Sequence, residues 1–277
     1  MNLSPFPIIE LTGADAAAFA HAQFSNDVAA LADNHWQWNA WLTPQGRVRA
    51  FFALLRLDPE NLMLILRGGD AAALADALRR YVLRAKVTIR VADFGAVGID
   101  DPNDLATLGV DLPETNSITR NGAASAIAMS DGKRWIVLGA PHEQVGANRQ
   151  RWTLADIRAG IPEIAPTLYE EALPYWLGLI RLGAVSVKKG CYPGQEITSR
   201  LHFKGGNKRS LYRVTFDPHF AVVAGTPIVT GNGERVGQIV MDSDGEALAI
   251  IAHAAADEPL HFEETPQSLL VARERFD

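Results

Sequence analysis

The feature that most constrains the fold is a change of pattern at about Leu211. From there onward, short β-patterned runs alternate with turns such as Thr230-Gly231-Asn232-Gly233, which is typical of antiparallel strands. The runs lie at 211–216, 226–229, 237–240 and 248–251. A stretch of roughly 65 residues with this pattern predicts a small antiparallel barrel. We therefore expect two domains, 1–207 and 208–277.

Before that point, helical and strand patterns are interleaved. Strand patterns at 39–42, 47–57 and 62–66 are joined by turns at Thr43-Pro44-Gln45-Gly46 and Asp58-Pro59-Glu60-Asn61, which predicts a β-meander. Residues 70–84 show helical spacing, and 86–91 alternates as a strand. Further helices are predicted around 142–152 and ending at 158–162, whereas 100–122 predicts loops. Helices between antiparallel strands favour the α+β class.

The single cysteine in 277 residues limits redox and metal chemistry. It cannot form an intrachain disulfide, and the sequence shows neither a secretory signal nor an apolar stretch long enough to span a membrane. We therefore expect a cytoplasmic protein without a membrane partner. A stable zinc or iron–sulfur site needs about four ligands, so we expect no resident metal.

The cysteine lies in a segment that is unusual in charge and glycine content. Between residues 188 and 209, six lysines and arginines accompany a single acid, Glu196. Glycines at 190, 194, 205 and 206 permit close approach of a ligand to the backbone. This combination favours an anion-binding loop, although a solvated basic surface loop fits the composition equally well.

Tyr192-Pro193-Gly194 predicts a type II turn that holds Cys191 close to Gln195 and Glu196. The two preceding lysines would lower the pKa of the thiol if their ammonium groups reached it. A buried and inert cysteine is the alternative. A Cys191–His202 nucleophile pair would require the fold to bring the two residues together.

Six tryptophans offer surfaces on which a flat ligand can stack, although core packing is the alternative for each of them. Trp36, Trp38 and Trp41 precede the first turn of the meander, and Trp152 precedes Ala159-Gly160.

The segment Val187 to Ile197, VKKGCYPGQEI, followed by Arg200 and by Gly205-Gly206-Asn207-Lys208-Arg209, closely resembles the signature of the YgfZ family. That family is the folate-binding, iron–sulfur-related branch of the glycine cleavage T-protein superfamily. QFSNDV at 23–28 and LTPQGRV at 42–48 are similar to its N-terminal motifs, and 152–162 is similar to its helix before the signature. The resemblance covers most of the chain.

The resemblance implies a three-lobed ring of two ferredoxin-like α+β lobes and the small barrel, with tetrahydrofolate or a derivative in the central hole. Trp152 would stack on the folate, with Phe6 as its aromatic partner. Cys191 would act as a redox-active or transiently ligating thiol. The signature loop around it would consist of Lys189, Gly190, Tyr192, Gly194, Gln195, Glu196 and Arg200.

One departure from the family pattern concerns the cofactor. Folate enzymes of the superfamily carry a glutamate where this chain has Arg158. A carboxylate accepts hydrogen bonds from the pterin, and a guanidinium has no acceptor. The resemblance therefore implies that Arg158 either changes how the pterin is held or weakens its binding.

The implied function is that of an accessory protein for assembly or repair of iron–sulfur proteins, including the cluster enzymes that thiolate tRNA. Its partners would be folate and iron–sulfur proteins or their assembly machinery, and we expect no classical turnover. The alternatives are a folate-dependent aminomethyltransferase or other one-carbon transferase, and an RNA-binding module at 188–209. Arg158 argues against the first. The net charge of −6 and the lack of an RNA-binding motif argue against direct nucleic-acid binding.

Overall fold

The computed structural model describes residues 6–122, 124–139 and 148–277. Its first lobe is an antiparallel sheet, sheet I, of order β2-β3-β4-β1-β5, with two helices. The strands are β1 (Ile8–Thr12), β2 (His35–Leu42), β3 (Val48–Asp58), β4 (Asn61–Leu66) and β5 (Thr88–Val91), and the helices are α1 (Ala16–Gln23) and α2 (Ala71–Arg79). The predicted meander is β2 to β4 and is confirmed.

Both faces of sheet I are buried, which explains why its strands read as nearly continuous apolar runs. In β3, Phe51 and Ala53 point to the core that the lobes share, whereas Phe52 and Leu54 pack against α1 and α2. This alternation gives the sheet two separate chemical environments, one on each face.

The second lobe is a smaller antiparallel sheet, sheet II, of order β6-β9-β8-β7. It consists of β6 (Ala96–Ile99), β7 (Ile118–Asn121), β8 (Ala124–Ala128) and β9 (Trp135–Leu138), together with α3 (Pro102–Thr107). The prediction of loops over 100–122 is wrong for α3 and β7. Asp101 caps α3 through the amide of Asn103 and Pro102 occupies its first turn, so residues that resembled loop signals begin a helix.

A single helix, α4 (Arg149–Ala159), leads from sheet II towards the signature segment. Asn148 caps it by accepting a hydrogen bond from the amide of Arg151, and Gly160 ends it at φ 65° as predicted. The start of the helix predicted at 142–152 lies outside the described residues up to position 147. The remainder of that prediction and the helix ending at 158–162 are one element.

The third lobe is a closed six-stranded barrel of order β10-β13-β12-β11-β14-β15. It follows α5 (Gln195–Lys204) and consists of β10 (Arg209–Thr215), β11 (Pro227–Thr230), β12 (Arg235–Ser243), β13 (Glu246–Ala252), β14 (Leu260–Phe262) and β15 (Thr265–Phe276). The α+β fold with a C-terminal barrel is confirmed. The domain boundary between residues 207 and 208 stays a prediction.

The three lobes share one hydrophobic core. Its buried members include Phe51 of sheet I, Ile136 of sheet II, Trp152 of α4, and Leu211 and Phe276 of the barrel. No helix among the described residues is long and apolar enough to cross a membrane.

Candidate functional site

The signature segment begins with a tight turn. The amide of Gln195 donates to the carbonyl of Tyr192 at 3.2 Å, and Gly194 has φ 82° and ψ 1°. These are the values of the third residue of a type II turn, in which Pro193 is the second. The predicted turn is confirmed, and α5 starts directly from it.

Gly194 seats this turn on the turn between β2 and β3. A Cβ atom at position 194 would lie 2.7 Å from the carbonyl oxygen of Thr43 and 2.8 Å from the Cα of Gly46. Only glycine fits this contact, because both the positive φ and the close backbone exclude a side chain. The two motifs, far apart in sequence, are therefore in direct backbone contact.

The buried side chain of Lys189 attaches the signature segment to the end of α1. Its side chain is 6% exposed, and its ammonium donates to the carbonyls of His21, of Phe24 at 2.6 Å and of Asn26 at 3.2 Å. These carbonyls lie in and just after the last turn of α1, where a cation is favoured. Burial lowers the pKa of Lys189 to about 8, against the opposing influence of Asp27. Since the ammonium is committed to these carbonyls, Lys189 is not the free cation beside the thiol that the sequence suggested.

Ser25 and Asn26 of the QFSNDV motif (23–28) bind the segment just before the signature. The hydroxyl of Ser25 donates to the carbonyl of Ala184 at 2.7 Å. The side-chain amide of Asn26 donates to the carbonyls of Trp38 at 2.9 Å and Gly183 at 2.7 Å. The three motifs thus form one unit, which we call the signature junction and define as residues 23–27, 43–47 and 186–200.

The other predicted residues of the signature loop either hold the loop in place through hydrogen bonds or are exposed at the surface. Tyr192 is buried with its hydroxyl donating to the carbonyl of Ser186 at 3.2 Å, and burial raises its pKa to about 12. The side-chain amide of Gln195 donates to the carbonyl of Lys189 at 3.2 Å. The exposed members are Gly190, Cys191, Glu196 and Arg200. Cys191 is therefore an accessible thiol on a rigid support.

His202 lies on α5 with its ring edge-on to Phe203, at 4.9 Å between centroids. Among the described residues, no group of three or more His, Cys, Asp and Glu side chains is arranged to hold a metal ion.

A second set of groups lies in the shared core and was missed by the sequence analysis. Asp156 of α4, only 1% exposed, accepts from two buried guanidiniums. One is that of Arg67, and the other is that of Arg134, whose Nη1 lies 2.7 Å from Asp156 Oδ1. Arg134 also bonds the partly exposed Asp131 at 2.5 Å. We call Arg67, Arg134 and Asp156 the central charge cluster.

The two predicted aromatic residues sit on this cluster. The guanidinium carbon of Arg67 is 4.9 Å from the ring centroid of Phe6, and that of Arg134 is 4.7 Å from the ring of Trp152. The two rings lie 6.0 Å apart at an angle of 50°. The fold therefore brings Phe6 and Trp152 together, with positive charge beside both.

Several buried donors of this region have no hydrogen-bond partner among the described residues. They are Nε and Nη1 of Arg67, Nη2 of Arg134 and Nε1 of Trp152. Unpaired buried donors are costly, at about 1–3 kcal/mol each, and call for an explanation such as a bound acceptor.

Arg158 is not part of this arrangement. Its side chain is 57% exposed, and its Nε donates to Glu246 of the barrel at 3.0 Å. The residue that α4 directs inward is Asp156, four positions after Trp152 and so on the same helix face. That spacing was the one signal in the sequence that could have revealed a carboxylate beside Trp152.

Comparison with known proteins agrees with these observations. No family model matches the chain. An uncharacterized protein of Haemophilus influenzae is 30% identical over 215 residues, which cover 76% of this chain and 71% of that protein. The tRNA-modifying protein YgfZ of Escherichia coli K12 is 26% identical over an alignment of 304 positions, covering 97% of this chain and 93% of its own length. The chain belongs to the YgfZ family.

The same family protein of Shigella boydii shows the same identity and coverage. Among solved structures, the glycine cleavage system aminomethyltransferase T of Bartonella henselae has a TM-score of 0.73 and 16% identity, covering 98% of this chain and 83% of that one. This likeness establishes the fold. The signature junction brings together the central signature segment and the two N-terminal motifs that resemble the family.

Lys189 and its exposed neighbour Lys188 form a matched pair for a stability test. Replacing Lys189 by Met leaves three carbonyls without their donor, and we expect a loss of about 2 kcal/mol or more in the free energy of unfolding. Lys188→Met should change it by less than about 0.5 kcal/mol. Denaturant titrations of both variants measure the difference.

The methionine variant of Lys189 also tests the lowered pKa of this side chain. Above the folded pKa of about 8 and below the ordinary value of 10.5, the unfolded chain binds a proton that the folded chain has released. Stability contributed by this group therefore rises with pH in that window. The advantage of the wild type over Lys189→Met should grow from pH 8 to pH 10. A shrinking advantage would show that Lys189 is not buried as described.

Proposed function

We propose that this chain binds a reduced folate and assists the assembly or repair of iron–sulfur proteins, including enzymes that thiolate tRNA. The observation that carries the proposal is the exposed thiol of Cys191, held on the signature junction. A single thiolate can contact or relay a cluster, but a stable cluster needs about four ligands. We also propose a cytoplasmic location, because an exposed thiol stays reduced in that compartment.

The rigidity of the support favours a direct role for the thiol. Cys191 stands between Lys189, which is tied to α1, and the Tyr192 turn, which is tied to sheet I. A reactive group is most effective when packing and hydrogen bonds around it fix its position. The tRNA-modifying name of the E. coli relative supports the choice of clients.

The central charge cluster supports the folate part of the proposal. The unpaired donors of Arg67, Arg134 and Trp152 match the carbonyl and ring acceptors of a pterin. Asp156 uses one oxygen for each arginine, and a carboxylate has about four acceptor sites, so it can also receive the amino group of a pterin. The residues present therefore fit a reduced folate.

The distance between the rings of Phe6 and Trp152 sets one condition on how a folate can bind. Two rings that sandwich a third need about 7 Å between them, whereas Phe6 and Trp152 are 6.0 Å apart. We propose that Phe6 moves aside and that the pterin stacks on Trp152. We do not propose aminomethyl transfer, because the position before Ala159-Gly160 carries Arg158, and this residue is bonded to Glu246.

Replacing Cys191 by Ser tests the accessory role. In cells whose own copy of the gene is deleted, we expect the variant to leave iron–sulfur enzyme activity and tRNA thiolation at the level of the deletion. The side chain is exposed, so the variant should unfold within about 0.5 kcal/mol of the wild type. Wild-type levels of both readouts with Cys191→Ser would refute the role.

A titration with tetrahydrofolate tests the cofactor. Trp152→Phe keeps an aromatic ring but loses the indole donor and part of the stacking area, so we expect about tenfold weaker binding. Trp41→Phe is the matched control, because Trp41 lies on the other face of sheet I. Arg158→Gln should bind as the wild type does. No binding by the wild type, or equal loss in both tryptophan variants, would remove the folate proposal.

A further inference from the structure

A cavity of about 360 Å³ lies between α2 and sheet I, on the face opposite the central charge cluster. It exists because its walls carry small residues, namely Ala50, Gly68, Gly69, Ala73 and Ala77. Its volume falls in the range of small-molecule sites. Neither the signature junction nor the proposed folate site accounts for it.

Trp41 forms one wall of this cavity and is only 1% exposed. Its indole Nε1 is buried and has no acceptor among the described residues. A protein that only needed a packed core would gain by filling this space and by placing apolar atoms here, since both a cavity and an unpaired donor are destabilising. The cavity and the unpaired indole donor together indicate a ligand that supplies a hydrogen-bond acceptor.

The other walls add flat surfaces. The ring of Tyr81 meets that of Trp41 edge-on, with centroids 5.7 Å apart, and Tyr169 also lines the cavity. Three aromatic side chains around a space of this size favour a planar aromatic ligand over an aliphatic one.

One cation at the cavity has no carboxylate partner among the described residues. Arg49 is bonded to Glu170 at 2.8 Å, so these two side chains neutralise each other. Asp70 is committed to capping α2. Arg80 is exposed and forms no salt bridge with any residue that the structure describes. Its guanidinium is the cation left to receive an anionic group at the mouth of the cavity.

We propose that this cavity binds a small planar aromatic carboxylate. The ligand stacks among Trp41, Tyr81 and Tyr169, accepts a hydrogen bond from Trp41 Nε1, and presents its carboxylate to Arg80. The site is independent of the proposed folate function, because Trp41 and Ala50 of this cavity lie on one face of sheet I and Trp152 packs against the other.

The test uses 2-aminobenzoate as the probe and 2-aminobenzamide as its uncharged match, both followed by their own fluorescence. The wild type should bind the carboxylate saturably. Arg80→Gln should weaken the carboxylate about tenfold and leave the amide unchanged. Trp41→Phe keeps the ring and loses the donor, so it should weaken both probes about fivefold.

Two further variants test whether the probes bind in this cavity. Ala77→Leu fills the cavity with an apolar side chain, and it should abolish binding while the thermal unfolding temperature is kept or raised. Trp152→Phe should bind both probes as the wild type does, and tetrahydrofolate should not displace them.

The proposal is overturned if the wild type shows no saturable binding at millimolar probe, or if Trp41→Phe and Ala77→Leu bind as the wild type does. It is equally overturned if tetrahydrofolate displaces the probe and Trp152→Phe loses it, because the probe would then occupy the folate site.

Discussion

One buried carboxylate, that of Asp156, links helix α4 to both sheets at the centre of this molecule. Asp156 of α4 holds Arg67, which follows β4 of sheet I, and Arg134, which precedes β9 of sheet II. Removing one partner from a buried ion pair typically costs 3–5 kcal/mol, because it leaves a charge without compensation. Here one acid serves two cations, so the placement of both sheets against α4 depends on it. Some donors of the two arginines have no partner among the described residues, and these are the groups that the proposed folate would use.

The signature junction holds the exposed Cys191 at the surface between two buried attachments. Lys189 is drawn inward by carbonyls at the end of α1, and Gly194 fits a gap that excludes any side chain. Between them Cys191 is exposed. In the proposed function, this arrangement presents the thiol to large partner proteins. A resident metal site would need several ligands close together, and no such group is found among the described residues.

Local patterns revealed much of this in advance. The meander of β2 to β4, four of the six barrel strands (β10 to β13) and the Tyr192 turn followed from turn chemistry and alternation, which act over a few residues. The direction of Lys189 did not follow, because His21 and Phe24 lie far from it in sequence. The central charge cluster joins positions 67, 134 and 156, and no local rule pairs them. Helix α3 was missed because a capping Asp and a Pro in the first turn have the same composition as a loop.

The most direct test of the account is a crystal structure of the chain with a reduced folate bound. We expect the pterin to stack on Trp152 and to place acceptor atoms within hydrogen-bonding distance of Arg67 or Arg134, each of which has at least one donor without a partner among the described residues. Asp156 should keep its contacts with both arginines. A folate bound elsewhere, with these guanidiniums still lacking acceptors, would contradict the claim that the central charge cluster is its site.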